Sequence, residues 1–185
     1  PIVKGISPVW ENFVGGHPMA GSNDSGIEAA RKNLFNDKPY VLTPINTTPT
    51  TAITVVENLI SQLGVNIHYC SPEEHDRAVS LISHLPVMAS ASLIAACEKE
   101  PDSQVRQLAE KFASSGFRDT SRVGGGNPEL GVMMAKYNRE ALLMSLQNYR
   151  SNLDELVKLI EREDWTSLEQ ILHSTQKARG KFVEQ

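Results

Sequence analysis

Three short stretches of this chain carry the residue types that chemistry needs. The first is Gly15-Gly-His-Pro-Met-Ala-Gly21, which sets His17 between glycines and a proline, where backbone can approach a ligand closely. An imidazole titrates near neutral pH, so His17 is a candidate for catalysis or ligand contact; the plainer alternative is a histidine that only packs. The second is Ser83-His84-Leu85-Pro86, a polar pair in an otherwise apolar helical run. Pro86 has no N–H, which leaves the carbonyl of Ile82 without its usual helical partner. Polar side chains buried there need partners, and a ligand is one. Otherwise Ser83 bonds back to the preceding turn and His84 stays half exposed. The third is Ser114 to Asn127, read as a glycine-rich loop holding Arg118, Asp119 and Arg122. It leads to a helix N-terminus at Asn127-Pro128, where free N–H groups favour an anion. Arg122 is a natural bidentate partner for a carboxylate or phosphate. Asp119 either meets a ligand or pairs with a neighbouring arginine.

Other chemistries fit poorly. There is no CxxC and no HExxH, and the nine-residue gap between His75 and His84 predicts opposite faces of one helix, so no metal site is expected. No Lys-Ser/Thr follows the glycines, and no serine sits in a G-x-S-x-G frame. A net charge of −4 without a basic run gives no footprint for nucleic acid. No uninterrupted apolar run approaches the ~20 residues that cross a bilayer, so no membrane partner is expected. Cys70 and Cys97 lie in apolar surroundings and read as reduced core thiols of a cytoplasmic protein, with a single disulfide as the alternative.

The elements that must position these residues divide the chain near residue 70. Phe13-Val14 reads as the end of a buried strand, and Ser22, Asn23 and Asp24 as helix caps, which puts His17 at a strand-to-helix crossover. Pro39–Thr43 and Val65–Cys70 read as strands. Between them a helix runs from Pro49 to about Leu63, with Ile53, Val56, Leu59, Ile60 and Leu63 at helical spacing and Gly64 as its cap. Strand, helix, strand is an α/β signal, though too short for a complete sheet. From Ser71 onward no strand is expected. Ser71-Pro-Glu-Glu74 starts a helix with an apolar face at Ala78, Leu81, Ile82 and Leu85. Pro86 should kink it, and Val87–Cys97 reads as a buried helix, apolar nearly all round. Pro101-Asp102 opens another helix to about Ala113. Pro128 starts a long one, with a stripe at Leu130, Met134, Tyr137, Ala141, Met144, Leu153, Leu156 and Ile160. Trp165 to Phe182 forms the last, with Leu168, Ile171, Leu172 and Thr175 inward. So much apolar helical surface in residues 72–185 implies a homodimer.

GGHPMAG, LF…YVLTP (Leu34 to Pro44), SHLPVMAS (Ser83 to Ser90) and SSGFRDTSRVGGGNPELG (Ser114 to Gly131) together resemble the prephenate/arogenate dehydrogenase family of tyrosine biosynthesis, most of all its cyanobacterial-type arogenate dehydrogenases. The resemblance implies an α/β tail of a Rossmann nucleotide-binding domain over residues 1–70, then a helical substrate-binding and dimerisation domain over 71–185. The chain begins at Pro1 and lacks the family's G-x-G-x-x-G, so a preceding nucleotide-binding half is expected, without which this chain should be inactive. By position in the motifs, His17 is similar to the catalytic histidine. Arg122 is similar to the substrate-binding arginine, Ser83 and His84 to a polar pair lining the pocket, and Asp119 to an acidic position near the substrate side chain; Arg118, beside it, is counted with the substrate-binding residues. Gly16, Pro18 and Met19 fall on the cofactor side. The implied reaction is oxidative decarboxylation of arogenate with NADP, or NAD. Prephenate is the alternative substrate, and Val87 stands where some prephenate-using relatives carry histidine. Two other classes stay open: a non-catalytic helical dimerisation module, and a carboxylate-binding domain that senses tyrosine.

Overall fold

The structure, a computed structural model, describes residues 2–21 and 26–183. It comprises two compact units, Pro1–Leu142 and Leu143–Gln185.

The first unit opens with a short helix, α1 (Ile2–Ile6), and a three-stranded sheet in the order β1 (Gly15–Pro18), β2 (Pro39–Thr43), β3 (Asn66–Tyr69). The histidine motif is itself the first strand; Phe13 and Val14 precede it as irregular chain. β1 runs antiparallel to β2, pairing Gly15 with Thr43 and His17 with Val41. His17 therefore lies within a strand, not at a crossover. The expected caps at Ser22, Asn23 and Asp24 lie outside the described residues. Gly15 is required by close approach: a Cβ there would fall well inside contact distance of the Thr43 hydroxyl on the paired strand. β2 and β3 are parallel, joined through α2 (Thr50–Ser61), as the strand-helix-strand signal predicts. Gly64 ends that connection in the left-handed region (φ 68°). Leu42, on the central strand, is fully buried and Ile60 of α2 nearly so. Leu59 and Leu63, expected on the same inward face, are exposed, because α2 meets only an edge of the short sheet.

After Tyr69 the chain is helical. α3 (Pro72–Val79) starts with a full capping box: the Ser71 hydroxyl accepts from the Glu74 N–H, and the Glu74 carboxylate accepts from the Ser71 N–H at 2.8 Å. The helix does not break at Pro86. It passes through a π-helical segment, Ser80–His84, in which the Leu85 N–H reaches back to the carbonyl of Ser80, and continues as α4 (Leu85–Glu98). A π-turn is one way to accommodate a proline that cannot donate. The extra residue rotates α4 by about 100° relative to a straight helix. Val79 and Ser80 are buried as a result, while Leu81 and Ile82, expected inward, are more than half exposed. α4 is mostly half-buried and buries only Ser90, so it is no core helix within this chain. Pro72–Glu98 as a whole is long and apolar enough to cross a membrane by length and composition, with a window of mean hydropathy 1.7. Counting uninterrupted apolar runs missed this, because serines and His84 punctuate the sequence.

α5 (Ser103–Phe112) is capped by Asp102, whose carboxylate accepts from the Gln104 and Val105 N–H groups. The expected loop at Ser114–Asn127 holds a helix, α6 (Ser115–Ser121), with Gly124 packed on α4: its N–H donates to the Ser90 hydroxyl at 2.8 Å. The glycines suggested a loop throughout, but they cluster at 124–126, after the helix ends. The expected long helix is broken at Asn138 into α7 (Pro128–Tyr137) and α8 (Arg139–Glu161). Asparagine is a poor interior helix residue because its amide competes for backbone partners, and here the Asn138 side chain donates to the backbone of α3.

The second unit holds most of α8 and all of α9 (Trp165–Val183). The two helices lie apart over most of their lengths, and no apolar side chain is buried among the unit's described residues. Tyr149, Leu153, Val157 and Ile160 form one exposed stripe along α8. On α9, Leu168 and Ile171 are half-buried, but Leu172 and Thr175, expected inward, are exposed. Both cysteines are free and half-buried.

Candidate active site

A cavity of about 500 Å³ opens within the first unit. Its wall is shared between the end of β1 (Gly15, Gly16 and His17), α3 and the π-turn (His75, Asp76 and His84), and the α7–α8 break (Met134, Tyr137 and Asn138). The sheet edge, the capped start of α3 and the helix break thus each contribute polar groups to a largely apolar hollow.

Three imidazoles meet here. His17 Nδ1 and His75 Nε2 are 2.8 Å apart and share one proton, with the rings edge to face at 5.1 Å between centroids. His75 Nδ1 lies 3.1 Å from Asp76 Oδ1. The Asn138 side-chain amide donates to the Asp76 carbonyl at 2.7 Å and approaches His84 Nδ1 at 3.2 Å. Since the amide nitrogen carries only hydrogens, His84 Nδ1 accepts, and the neutral His84 ring bears its proton on Nε2. Burial first, then the neighbouring His75 and His84, holds His17 below the ordinary histidine range. Burial likewise pushes His84 down, against the pull of Asp76. Both rings are therefore neutral at pH 7. That leaves His17 free to accept a proton and His84 able to donate a hydrogen bond.

His17 and His84 thus come together, as does Gly16. The opposite-face expectation for His75 and His84 is overturned: both line one cavity, because the π-turn rotates the helix between them. Ser83 is half-buried but absent from the wall, as are Pro18 and Met19. Arg118, Asp119 and Arg122 are exposed on α6 and its C-terminal cap, outside the wall. Arg118 Nε lies 3.5 Å from Asp119 Oδ1. The α7 N-terminus, expected to favour an anion, is capped by Asn127 Oδ1, which accepts from the Glu129 N–H at 2.9 Å, and carries Glu129 in its first turn. Sequence reasoning missed His75, Asp76 and Asn138 as wall residues. Asn138, a weak helix former beside the apolar stripe, was the one available signal for a helix break there.

Models of two domain families match the chain: prephenate dehydrogenase, nucleotide-binding domain, over residues 1–69, and prephenate dehydrogenase, dimerization domain, over residues 71–174. The chain belongs to the prephenate dehydrogenase family. It is 35% identical over 165 residues to a prephenate dehydrogenase of Bacillus subtilis, covering 88% of this chain and 43% of that protein. A cyclohexadienyl dehydrogenase of Zymomonas mobilis is 32% identical, with 90% and 57% covered. Among solved structures, Synechocystis arogenate dehydrogenase superposes with a TM-score of 0.90 at 52% identity, over 96% of this chain and 64% of that one. Prephenate dehydrogenase from Aquifex aeolicus, in complex with hydroxyphenyl propionate and NAD+, gives 0.90 at 28% identity, over 97% and 63%. This chain therefore spans about half to two thirds of the length of these relatives. Its fold is a short Rossmann-type tail followed by the family's helical domain.

Proposed function

We propose that this chain supplies the reaction centre and the helical half of an arogenate dehydrogenase, which converts arogenate to tyrosine by oxidative decarboxylation with NADP. The observation that carries the reading is His17, a half-buried, neutral imidazole in the wall of a cavity large enough for a small cyclohexadienol. Hydride leaves the carbinol carbon while the ring carboxylate departs as carbon dioxide, and aromatisation drives the step. His17 accepts the hydroxyl proton, at a cavity wall apolar enough to keep the ring neutral beforehand. His84 donates from Nε2 to an oxygen of the substrate. Arg122, which has no ion pair among the described residues, binds a substrate carboxylate, and Asp119 favours the amino group that arogenate has and prephenate lacks. Val87 and the likeness to the Synechocystis arogenate dehydrogenase support arogenate over prephenate.

The residues present fit a nicotinamide ring. Gly15 and Gly16 offer bare backbone beside Ile2, Val3 and Phe13, an apolar wall suited to a flat ring; Pro18 and Met19 lie outside that wall and would touch the cofactor only from the strand end that follows His17. When bound, the nicotinamide accepts the hydride. The sequence has no glycine fingerprint for a pyrophosphate, so only the reactive end of the nucleotide is provided for here. The test is reduction of NADP+ and NAD+ by the full-length enzyme with arogenate and with prephenate. Higher kcat/KM for prephenate would reassign the substrate, and turnover of neither would sink the reading.

The partner is a second copy of the chain, in the cytoplasm. Helices draw most of their stability from a packed apolar face, and the α8 stripe of Tyr149, Leu153, Val157 and Ile160 has none within its unit. Sedimentation should give a dimer at micromolar concentration; a folded monomer would refute this.

A further inference from the structure

The hydrogen bond between His17 and His75 leaves open which ring owns the proton, and the chemistry of the base depends on the answer. Only an unprotonated nitrogen can accept, and each neutral imidazole has one. Asp76 decides the matter. A carboxylate is an acceptor only, so the His75 Nδ1 facing it at 3.1 Å carries the proton. A neutral His75 then has an unprotonated Nε2. That nitrogen lies 2.8 Å from His17 Nδ1, which must therefore be the donor. His17 Nε2, which has no hydrogen-bond partner among the described residues, is left as the accepting nitrogen.

We infer that Asp76, acting through His75, is a positioning device that fixes His17 as its Nδ1–H tautomer and so makes Nε2 the base. When Nε2 takes the substrate's hydroxyl proton, the proton on Nδ1 stays shared with His75, and the Asp76 carboxylate balances the new positive charge. The arrangement is intrinsic to α3. The Ser71–Glu74 capping box sets where the helix begins, and adjacent positions 75 and 76 then present ring and carboxylate to each other. Asn138 holds the same turn from outside by bonding to the Asp76 carbonyl. That contact involves backbone, so it survives replacement of the Asp76 side chain.

The base role of Nε2 rests on the proposed dehydrogenase function; the tautomer does not. Long-range 15N–1H spectra of the 15N-histidine-labelled chain at pH 7.5 report which ring nitrogen is protonated. His17 and His75 should both carry the proton on Nδ1, and His84, set by Asn138, on Nε2. A His17 proton on Nε2 would overturn the inference. Asp76→Ala should release His17 to a mixture of tautomers while His84 stays unchanged as an internal control of folding; an unchanged His17 would overturn it too. Should the control also shift, His75→Leu removes the acceptor directly and must release His17 in the same way. In the full-length enzyme Asp76→Ala should lower kcat by about 10–100-fold, the loss known for carboxylates that orient metal-binding histidines, with KM within a few-fold. A normal tautomer with no kinetic consequence of His17→Asn would leave the wiring intact and refute the function instead.

Discussion

The cavity wall and α6 both carry residues that read as chemical, and they are built in opposite ways. In the wall the key polar side chains are held by other elements: His17 by His75 of α3, His84 by Asn138 at the α7–α8 break, and Asn138 by the backbone of Asp76. On α6, Arg118, Asp119 and Arg122 lie in solvent, and the closest approach there is a loose 3.5 Å pair between sequence neighbours. A base must be neutral and aimed before substrate arrives, which calls for desolvation and fixed partners. A cation that captures a carboxylate keeps its charge in water and does not need burial beforehand. On the proposed function, the single chain prepares its proton chemistry in the wall and leaves anion capture to exposed side chains.

That contrast can be broken. The largest effect should come from His17→Asn in the full-length enzyme, which keeps a hydrogen bond but loses the base. kcat should fall by ~10²–10⁴-fold with KM within a few-fold. A variant within a few-fold of wild type would make the prepared wall purely structural.

Arg122→Gln should do the reverse. A charge-assisted contact is worth ~1.5–3 kcal/mol, so KM should rise by about one to two decades, with cofactor affinity nearly unchanged. Equal losses in kcat would place Arg122 in the transition state and dissolve the division of labour. Asp119→Asn sharpens the same point. It should shift the arogenate-to-prephenate ratio of kcat/KM toward prephenate; an unchanged ratio would leave Asp119 as the partner of Arg118 alone.

Gly124→Ala tests how α6 is held. A Cβ at 124 would lie 2.6 Å from Ser90 Oγ and closer still to the α4 backbone, which cannot yield as a side chain would. Overpacking of this kind costs about 1–3 kcal/mol, read as a lower thermal midpoint. KM should rise as α6 shifts, while kcat is spared. Loss of kcat with KM intact would show that the wall and α6 are mechanically one.

The smallest effect is that of pH. His17 and His84 are both held below the ordinary histidine value of about 6.5. The acid limb of kcat/KM should therefore lie below pH 6.5. The sign for stability comes from the same shifts: above 6.5 neither state binds the protons, and below it the unfolded chain binds them first. Stability is thus full above pH 6.5 and is lost as pH falls from there through the lower folded values. Urea midpoints at pH 7.5 and 5.5 check this; a midpoint that rises on acidification would mean that the wall histidines are charged in the fold.

Local signals in the sequence determined much. Ser71-Pro-Glu-Glu74 has only one good use, and it caps α3. Pro39–Thr43 is a β-rich run that stops at a proline, and Asp102 and Asn127 each cap the helix that begins just after them. The motifs around His17, His84 and Arg122 were sufficient to name the family. These features act over a few residues, so the order of amino acids contains them. Tertiary structure alone decided the rest. Whether His75 and His84 share a face depends on a π-turn, set by where Ser80 is buried and Pro86 must fit. Whether 128–160 is one helix or two depends on Asn138 finding Asp76, 62 residues away. Helix α6 was hidden by the glycines that follow it, and the packing of Gly124 on Ser90 is not local. Above all, His17 meets His75, and through it Asp76, only in the folded chain: these groups are distant from it in sequence, and the hydrogen bond on which the inferred tautomer rests exists only there.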